Sequence, residues 1–184
     1  HTLPIGMGSN EFIRYFLENE EFDYIFNLSA MKHVRSEKDI YSITRMINTN
    51  VVYLHDLIEN IDYQLEKFFS VSSDKAANPA NLMGASKMVM EDVLSCSGQN
   101  FSTARFANVA FSDGSLPFGF LKRIEKRQPL SAPIDIDRYF ISHEEAAQLC
   151  ILSCMLGGYA EIFIPKLSDL LDSSNFLSLL KSIA

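Results

Sequence analysis

The run Phe68-Phe69-Ser70-Val71-Ser72-Ser73-Asp74-Lys75-Ala76-Ala77-Asn78-Pro79-Ala80-Asn81-Leu82-Met83-Gly84-Ala85-Ser86-Lys87 organises the chain around it. Its apolar start reads as a buried strand, the small polar residues and Asn78-Pro79 as a turn, and the residues from Gly84 onward as a helix. An acid, Asp74, and two lysines, Lys75 and Lys87, therefore fall where a strand hands over to a helix. In parallel α/β sheets that edge is where ligands bind, which makes these charges a candidate active site.

Upstream, residues 22–28 read as a strand buried on both faces, preceded by a helix over 11–17 entered through Ser9 or Asn10. A loop over 29–34 follows. From about 40 to 58, Ile47, Val51, Leu54 and Ile58 recur at helical spacing. Downstream, residues 84–94 keep that period through Val89 and Val93, Gly98-Gln99-Asn100 break it, and 101–106 read as the next strand. Alternation of this kind predicts an α/β fold, a doubly wound parallel sheet covered by helices. Beyond Asn108, the run 112–115 and Pro117 read as turns, a helix is expected through 120–126, and Pro129 and Pro133 bracket an extended piece. Ser142-His143-Glu144-Glu145 has the form of a capping box opening a helix to Leu156, which makes His143 a first-turn surface residue. A last strand is expected over 160–165 and a terminal helix over 175–183. Residues 1–110 are expected to form part of a nucleotide-binding sheet, and 111–184 a substrate-side lobe interleaved with it.

The chain has 184 residues, 47% hydrophobic and 21% charged, enough for one good core. Lys and Arg number 16 against 23 Asp and Glu, a formal charge of -7, which argues against a nucleic-acid backbone as partner. The one basic stretch, Lys122-Arg123-Ile124-Glu125-Lys126-Arg127, is either a solvated helix face or a contact for a ligand phosphate. Cys96, Cys150 and Cys154 are too few and wrongly spaced for a disulfide framework or a zinc site, so a reducing, cytoplasmic setting and no metal are expected. Cys150 and Cys154 read as small core residues. No membrane span or signal segment is legible. A doubly wound nucleotide-binding fold opens on a strand, a glycine-rich turn and a helix, and Gly6-Met7-Gly8-Ser9 matches that poorly. The N-terminal βαβ units are therefore expected to be absent.

With Ser73-Asp74-Lys75, Asn78-Pro79, Met83-Gly84-Ala85-Ser86-Lys87 and Arg105-Phe106-Ala107-Asn108-Val109 in that order, the chain resembles the extended short-chain dehydrogenase/reductases. More closely it resembles the CapD-like polysaccharide biosynthesis family and its UDP-N-acetylglucosamine 4,6-dehydratases. The match runs from about Phe22 to Leu167 and includes Ser29-Ala30-Met31-Lys32-His33-Val34 and Arg138-Tyr139-Phe140. Most of the superfamily has Tyr where this chain has Met83. A subgroup of sugar-nucleotide dehydratases, including legionaminic-acid enzymes, shares the Met.

The resemblance implies NAD as cofactor, a UDP-sugar as substrate, and a homo-oligomer. Dehydration of this kind oxidises the sugar at C4, which acidifies the C5 hydrogen, and then needs a base at C5 and an acid at the C6 hydroxyl. By resemblance Lys75 is the base, Asp74 the acid, Ser73 a hydroxyl near C4, and Lys87 the partner of the nicotinamide ribose. To serve as base Lys75 would have to be neutral, through burial and Lys87 as a nearby cation. Ser29, Ala30, Lys32, Asn50, Met83 and Lys87 are implied on the cofactor side, and His33, Asn108, Lys122 and Arg138 on the substrate side. The cofactor site is expected to be incomplete without a glycine-rich segment. A solvated Asp74–Lys75 ion pair, a turn-stabilising Asn108 and a structural salt bridge at Arg138 stand as alternatives. At the level of function, the alternatives are a UDP-sugar epimerase of the same family and a non-catalytic remnant.

Overall fold

The computed structural model describes residues 2–18, 21–32, 37–131, 137–166 and 174–175. In chain order the elements are α1 (Asn10–Glu18), β1 (Tyr24–Asn27), α2 (Ile40–Ile47), α3 (Tyr53–Glu59), β2 (Lys67–Ser73), α4 (Leu82–Cys96), β3 (Phe101–Phe106), β4 (Asn108–Val109), α5 (Leu116–Glu125), β5 (Asp137–Arg138), β6 (Phe140–Ile141), α6 (His143–Leu156), β7 (Glu161–Phe163) and β8 (Ser174–Asn175). Contacts divide them into two units, His1–Arg105 with Cys150–Phe163, and Phe106–Leu149 with Ile164–Ala184.

The first unit is built on a sheet of order β1-β2-β3-β7. β1 pairs in parallel with β2 from Tyr24 opposite Lys67 to Asn27 opposite Ser70, and β3 in parallel with β7 from Ser102 opposite Glu161 to Ala104 opposite Phe163. Parallel neighbours need long crossovers, and helices supply them, as the strand–helix alternation requires. This is a Rossmann-like α/β sheet with flanking helices. Leu54, Leu57 and Ile58 of α3, Phe68 of β2, Met90 and Leu94 of α4 and Phe101 of β3 form one buried cluster, so these helices close on the sheet through a shared apolar seam.

Three expectations change here. β1 is not buried on both faces: Phe26 is 42% and Leu28 61% exposed, because β1 is the edge strand of this sheet. Between α2 and α3 the backbone runs as a π-turn over Asn48–Val52. Its wider turn shifts the helical phase, so Met46, Asn50, Leu54 and Leu57 face inward while Ile47 faces out. In α4 the inward positions are Met83, Lys87, Met90 and Leu94, and Val89 is exposed.

Caps fall where the sequence placed them. The Phe12 N–H donates to Ser9 Oγ at α1, and Ser142 and Glu145 form a reciprocal capping box at α6, where the Glu145 N–H donates to Ser142 Oγ and the Ser142 N–H to Glu145 Oε2. Buried Lys67 is fully occupied, its ammonium donating to Asn100 Oδ1 (2.8 Å) and to the carbonyls of Gly157 (2.7 Å) and Gly158 (3.3 Å) just past α6. Ser102 Oγ donates to the Ser153 carbonyl and Ser153 Oγ to the Thr103 carbonyl, stitching β3 to the end of α6. Cys150 and Cys154 are buried there as core residues.

In the second unit β4 pairs in parallel with β6, and β5 antiparallel with β8. Phe120 and Phe140 form its buried centre with Ala110, Leu116 and Leu130 around them. Pro117 lies in the first turn of α5, which Ser115 caps, rather than in a turn before it. Asn175 lies in β8 and not at the start of a helix. The rest of the expected terminal helix, and Pro133, lie outside the described residues.

Phe68→Ala should lower unfolding free energy by about 3–5 kcal/mol in urea titration, the usual cost of emptying a packed aromatic site. Tyr41→Ala, at a residue 83% exposed, should stay within about 0.5 kcal/mol.

Candidate functional site

At the end of β2 the chain turns through one 3-10 turn, Asp74–Ala76, which Ser73 caps from extended backbone (φ -148°, ψ 151°). Ser73 Oγ accepts from the Lys75 N–H (3.3 Å) and donates to Asp74 Oδ1 (2.9 Å), and the Lys75 ammonium donates to that same oxygen at 2.8 Å. Ser73, Asp74 and Lys75 thus form one hydrogen-bonded group, with the Lys75 and Asp74 side chains 27% and 48% exposed.

α4 begins directly against this turn. Asn81 caps it by accepting from the Gly84 N–H at 2.9 Å. A Cβ on Gly84 would lie 2.7 Å from the Lys75 carbonyl oxygen and 3.2 Å from Lys75 Cβ, so the helix can sit on the turn's backbone only because residue 84 has none. The Met83 N–H donates to Glu37 Oε1 at 3.0 Å.

One turn further along α4, Lys87 is 4% exposed. Its ammonium donates to the Val71 carbonyl at 2.7 Å and more weakly to Met90 Sδ at 3.4 Å. Burial pushes it from the ordinary lysine value down to about 8, with the Glu91 carboxylate pulling the other way. The expectation placed burial and a nearby cation at Lys75; instead Lys75 lies beside an anion, and the buried lysine is Lys87. Met90 Sδ also accepts from Ser70 Oγ, which accepts from Asn27 Nδ2, so polar groups run from β1 across β2 to α4. Ser72 Oγ is buried and has no hydrogen-bond partner among the described residues.

The loop after β1 is held by Asn50 in the π-turn. Asn50 Oδ1 accepts from the Met31 N–H (2.8 Å), and its amide donates to the Met31 carbonyl (3.1 Å) and to Ser86 Oγ (2.9 Å). Ser86 Oγ donates to the Met83 carbonyl at 2.8 Å. One buried asparagine therefore ties the loop carrying Ser29, Ala30 and Lys32, all exposed, to the first turn of α4. His33 lies outside the described residues.

In the second unit Asn108 Nδ2 donates to the Tyr139 carbonyl at 3.3 Å. Lys122 pairs with Glu125 at 3.3 Å, both well exposed, with the Lys122 ammonium 5.7 Å from the centre of the Phe118 ring. Arg138 lies in β5, opposite Ser174.

Sequence reasoning passed over Glu37, Ser86, Met90 and Glu91. Only Glu91 carried a readable signal, since it follows Lys87 by one helical turn. The others act through backbone groups or a thioether, which no spacing rule reveals.

This sheet, with its strand-to-helix turn at the end of β2, is that of a Rossmann-like α/β protein. A family model described as polysaccharide biosynthesis protein matches residues 6–181, and the chain belongs to that family. It is 37% identical over 158 residues to an uncharacterized membrane protein, MJ1061, of Methanocaldococcus jannaschii, covering 80% of this chain and 46% of that one. To a UDP-N-acetylglucosamine 4,6-dehydratase (inverting) of Campylobacter jejuni it is 29% identical over 163 residues, covering 82% and 47%. Among solved structures, a UDP-glucuronic acid 4-epimerase from Bacillus cereus, in complex with UDP-glucuronic acid and NAD, superposes with a TM-score of 0.80 at 15% identity, covering 97% of this chain and 64% of that one. The chain spans about half the length of these curated relatives. No helix among the described residues is long and apolar enough to cross a membrane.

Lys87 carries a sign-defined pH effect. It holds its proton to about pH 8 in the fold and to about 10.5 when unfolded, so between those values the unfolded chain binds more protons and stability rises with pH. Measured against Lys87→Met, the wild type should gain on the order of 3 kcal/mol from pH 7 to pH 10.5 in denaturant titrations. Gly84→Ala should cost about 1–3 kcal/mol, the range for overpacking, and broaden the Asp74 and Lys75 amide resonances as the turn is pushed off α4.

Proposed function

We propose that the protein is an NAD-dependent sugar-nucleotide 4,6-dehydratase that converts UDP-N-acetylglucosamine to a UDP-4-keto-6-deoxy sugar for surface polysaccharide synthesis. The observation that carries this reading is the 2.8 Å contact between Asp74 and Lys75 on a turn seated against α4. Dehydration needs a neutral amine and a protonated carboxyl side by side. Moving one proton across that contact, from ammonium to carboxylate, makes both at once. Lys75 Nζ then takes the C5 proton, and Asp74 gives its proton to the departing C6 hydroxyl, which leaves as water. Ser73 Oγ, already bonded to Asp74, fixes which carboxylate oxygen faces Lys75.

Lys87 fits a nicotinamide ribose: its ammonium has one strong acceptor, the Val71 carbonyl, and keeps donor capacity for a hydroxyl. NAD, when bound, would supply the oxidation at C4 and the hydride returned at C6. Asn50 would hold the Ser29–Lys32 loop in place beside it. The dehydratase relative supports the reaction, and the NAD-bound B. cereus epimerase of the same fold supports the cofactor. The Asp74–Lys75 pair favours dehydration over simple 4-epimerisation, because an epimerase needs no acid at C6.

Full-length protein given UDP-N-acetylglucosamine and NAD should yield a product lighter by one water in mass spectrometry. Asp74→Asn and Lys75→Ala should each cut that rate by about 100-fold or more, the usual worth of a positioned acid or base. Conversion to the 4-epimer without loss of water would overturn the assignment.

A further inference from the structure

Lys87 and Glu91 lie one turn apart on α4, the spacing at which a helix pairs opposite charges. The carboxylate is nevertheless held by Arg105 at the end of β3, whose Nε donates to Oε1 at 3.0 Å and whose Nη2 donates to Oε2. With the Glu91 and Arg105 side chains 8% and 17% exposed, this fork forms largely out of water, where a planar bidentate guanidinium holds a carboxylate better than a single ammonium does. Lys87 is left with two uncharged acceptors, the Val71 carbonyl on β2 and Met90 Sδ on its own helix. An ammonium has three protons, and the third has no acceptor among the described residues. Among the described residues the charged group bearing on it is Glu91 from α4, which Arg105 from β3 engages; Asp74 and Lys75 beyond β2 are engaged with each other.

We propose that Glu91 and Arg105 are positioning residues for Lys87: the guanidinium fork withholds the carboxylate that would otherwise pair with the ammonium, keeping Lys87 at the Val71 carbonyl with a proton free for a bound ligand. Glu91 then has two effects. Its charge keeps the buried lysine protonated near neutral pH, and its capture by Arg105 keeps that proton from being spent inside the protein. The proposal deepens the assignment of Lys87 to the ribose of NAD and rests on it for the binding measurement alone.

The test follows the Lys87 side-chain signal by NMR across pH in full-length protein labelled with isotopic lysine, assigned through Lys87→Arg, with NAD affinity measured by calorimetry. Arg105→Gln frees Glu91 to turn to Lys87, so the lysine's midpoint should rise by about one unit and NAD affinity should fall about tenfold, the equivalent of that unit. Glu91→Gln combined with Arg105→Gln removes the competing carboxylate, and should return the midpoint to the wild-type value or below and restore binding. An unchanged midpoint in Arg105→Gln, or equal loss of binding in the single and double variants, overturns the proposal in favour of a purely structural ion pair. Should Arg105→Gln fail to fold, Glu91→Gln alone decides: the midpoint should drop below the wild-type value of about 8, and no drop overturns the proposal. Wild type that binds no NAD, while Arg105→Gln still moves the midpoint, would remove the ribose assignment and uphold the withholding of Glu91.

Discussion

The close approach of α4 to the Lys75 carbonyl is the constraint on which the site depends. It needs a residue without a Cβ at position 84 and a capping side chain at Asn81, and both are present. Because the helix rests on the turn's backbone, the side chains of Asp74 and Lys75 are not consumed by packing and can bond to each other at the rim. The same contact sets where Met83 and Lys87 begin on the helix, and so which way the buried lysine points.

Two buried lysines show how one residue type serves different ends. Lys67 is saturated by a side-chain amide oxygen and two carbonyls beyond α6, which makes it a strut between β2 and that helix end. Lys87 has one good acceptor and a thioether, in a setting where burial has already weakened its hold on its proton. A buried cation with capacity to spare marks a site better than charge or burial alone. Glu91 gives it a counter-charge at one turn's distance, and Arg105 keeps the two apart.

What could be read from the sequence was local. The strand–turn–helix at 68–87, the Ser142–Glu145 capping box and the Ser9 cap depend on residues within a turn of one another, and all three are found. The burial of β1 depends on its rank in the sheet, which an apolar run does not encode. The inward face of α2 depends on a π-turn that periodicity cannot anticipate. The pairing of Lys75 depends on the rotamer of its immediate neighbour Asp74, which spacing to Lys87 does not reveal. The part of the candidate site that was missed, Glu37, Ser86 and Met90, consists of groups that grip backbone or sulfur.

The π-turn at 48–52 gives the chain an unusual sensitivity to register. Each residue of an α-helix advances the chain by about 100°, and the wider turn takes up one residue beyond the regular count, so drawing Asn48–Val52 into regular helix with every residue kept would not merely lengthen the element. It would turn α2 against α3 by nearly a third of a revolution, carrying Met46 off the core and Ile47 toward it, and drawing Asn50 out of line with Met31 and Ser86. The loop after β1 would lose its tether although every residue that contacts it remained. At this point the register of the chain, more than its composition, is what a change in the gene would have to preserve.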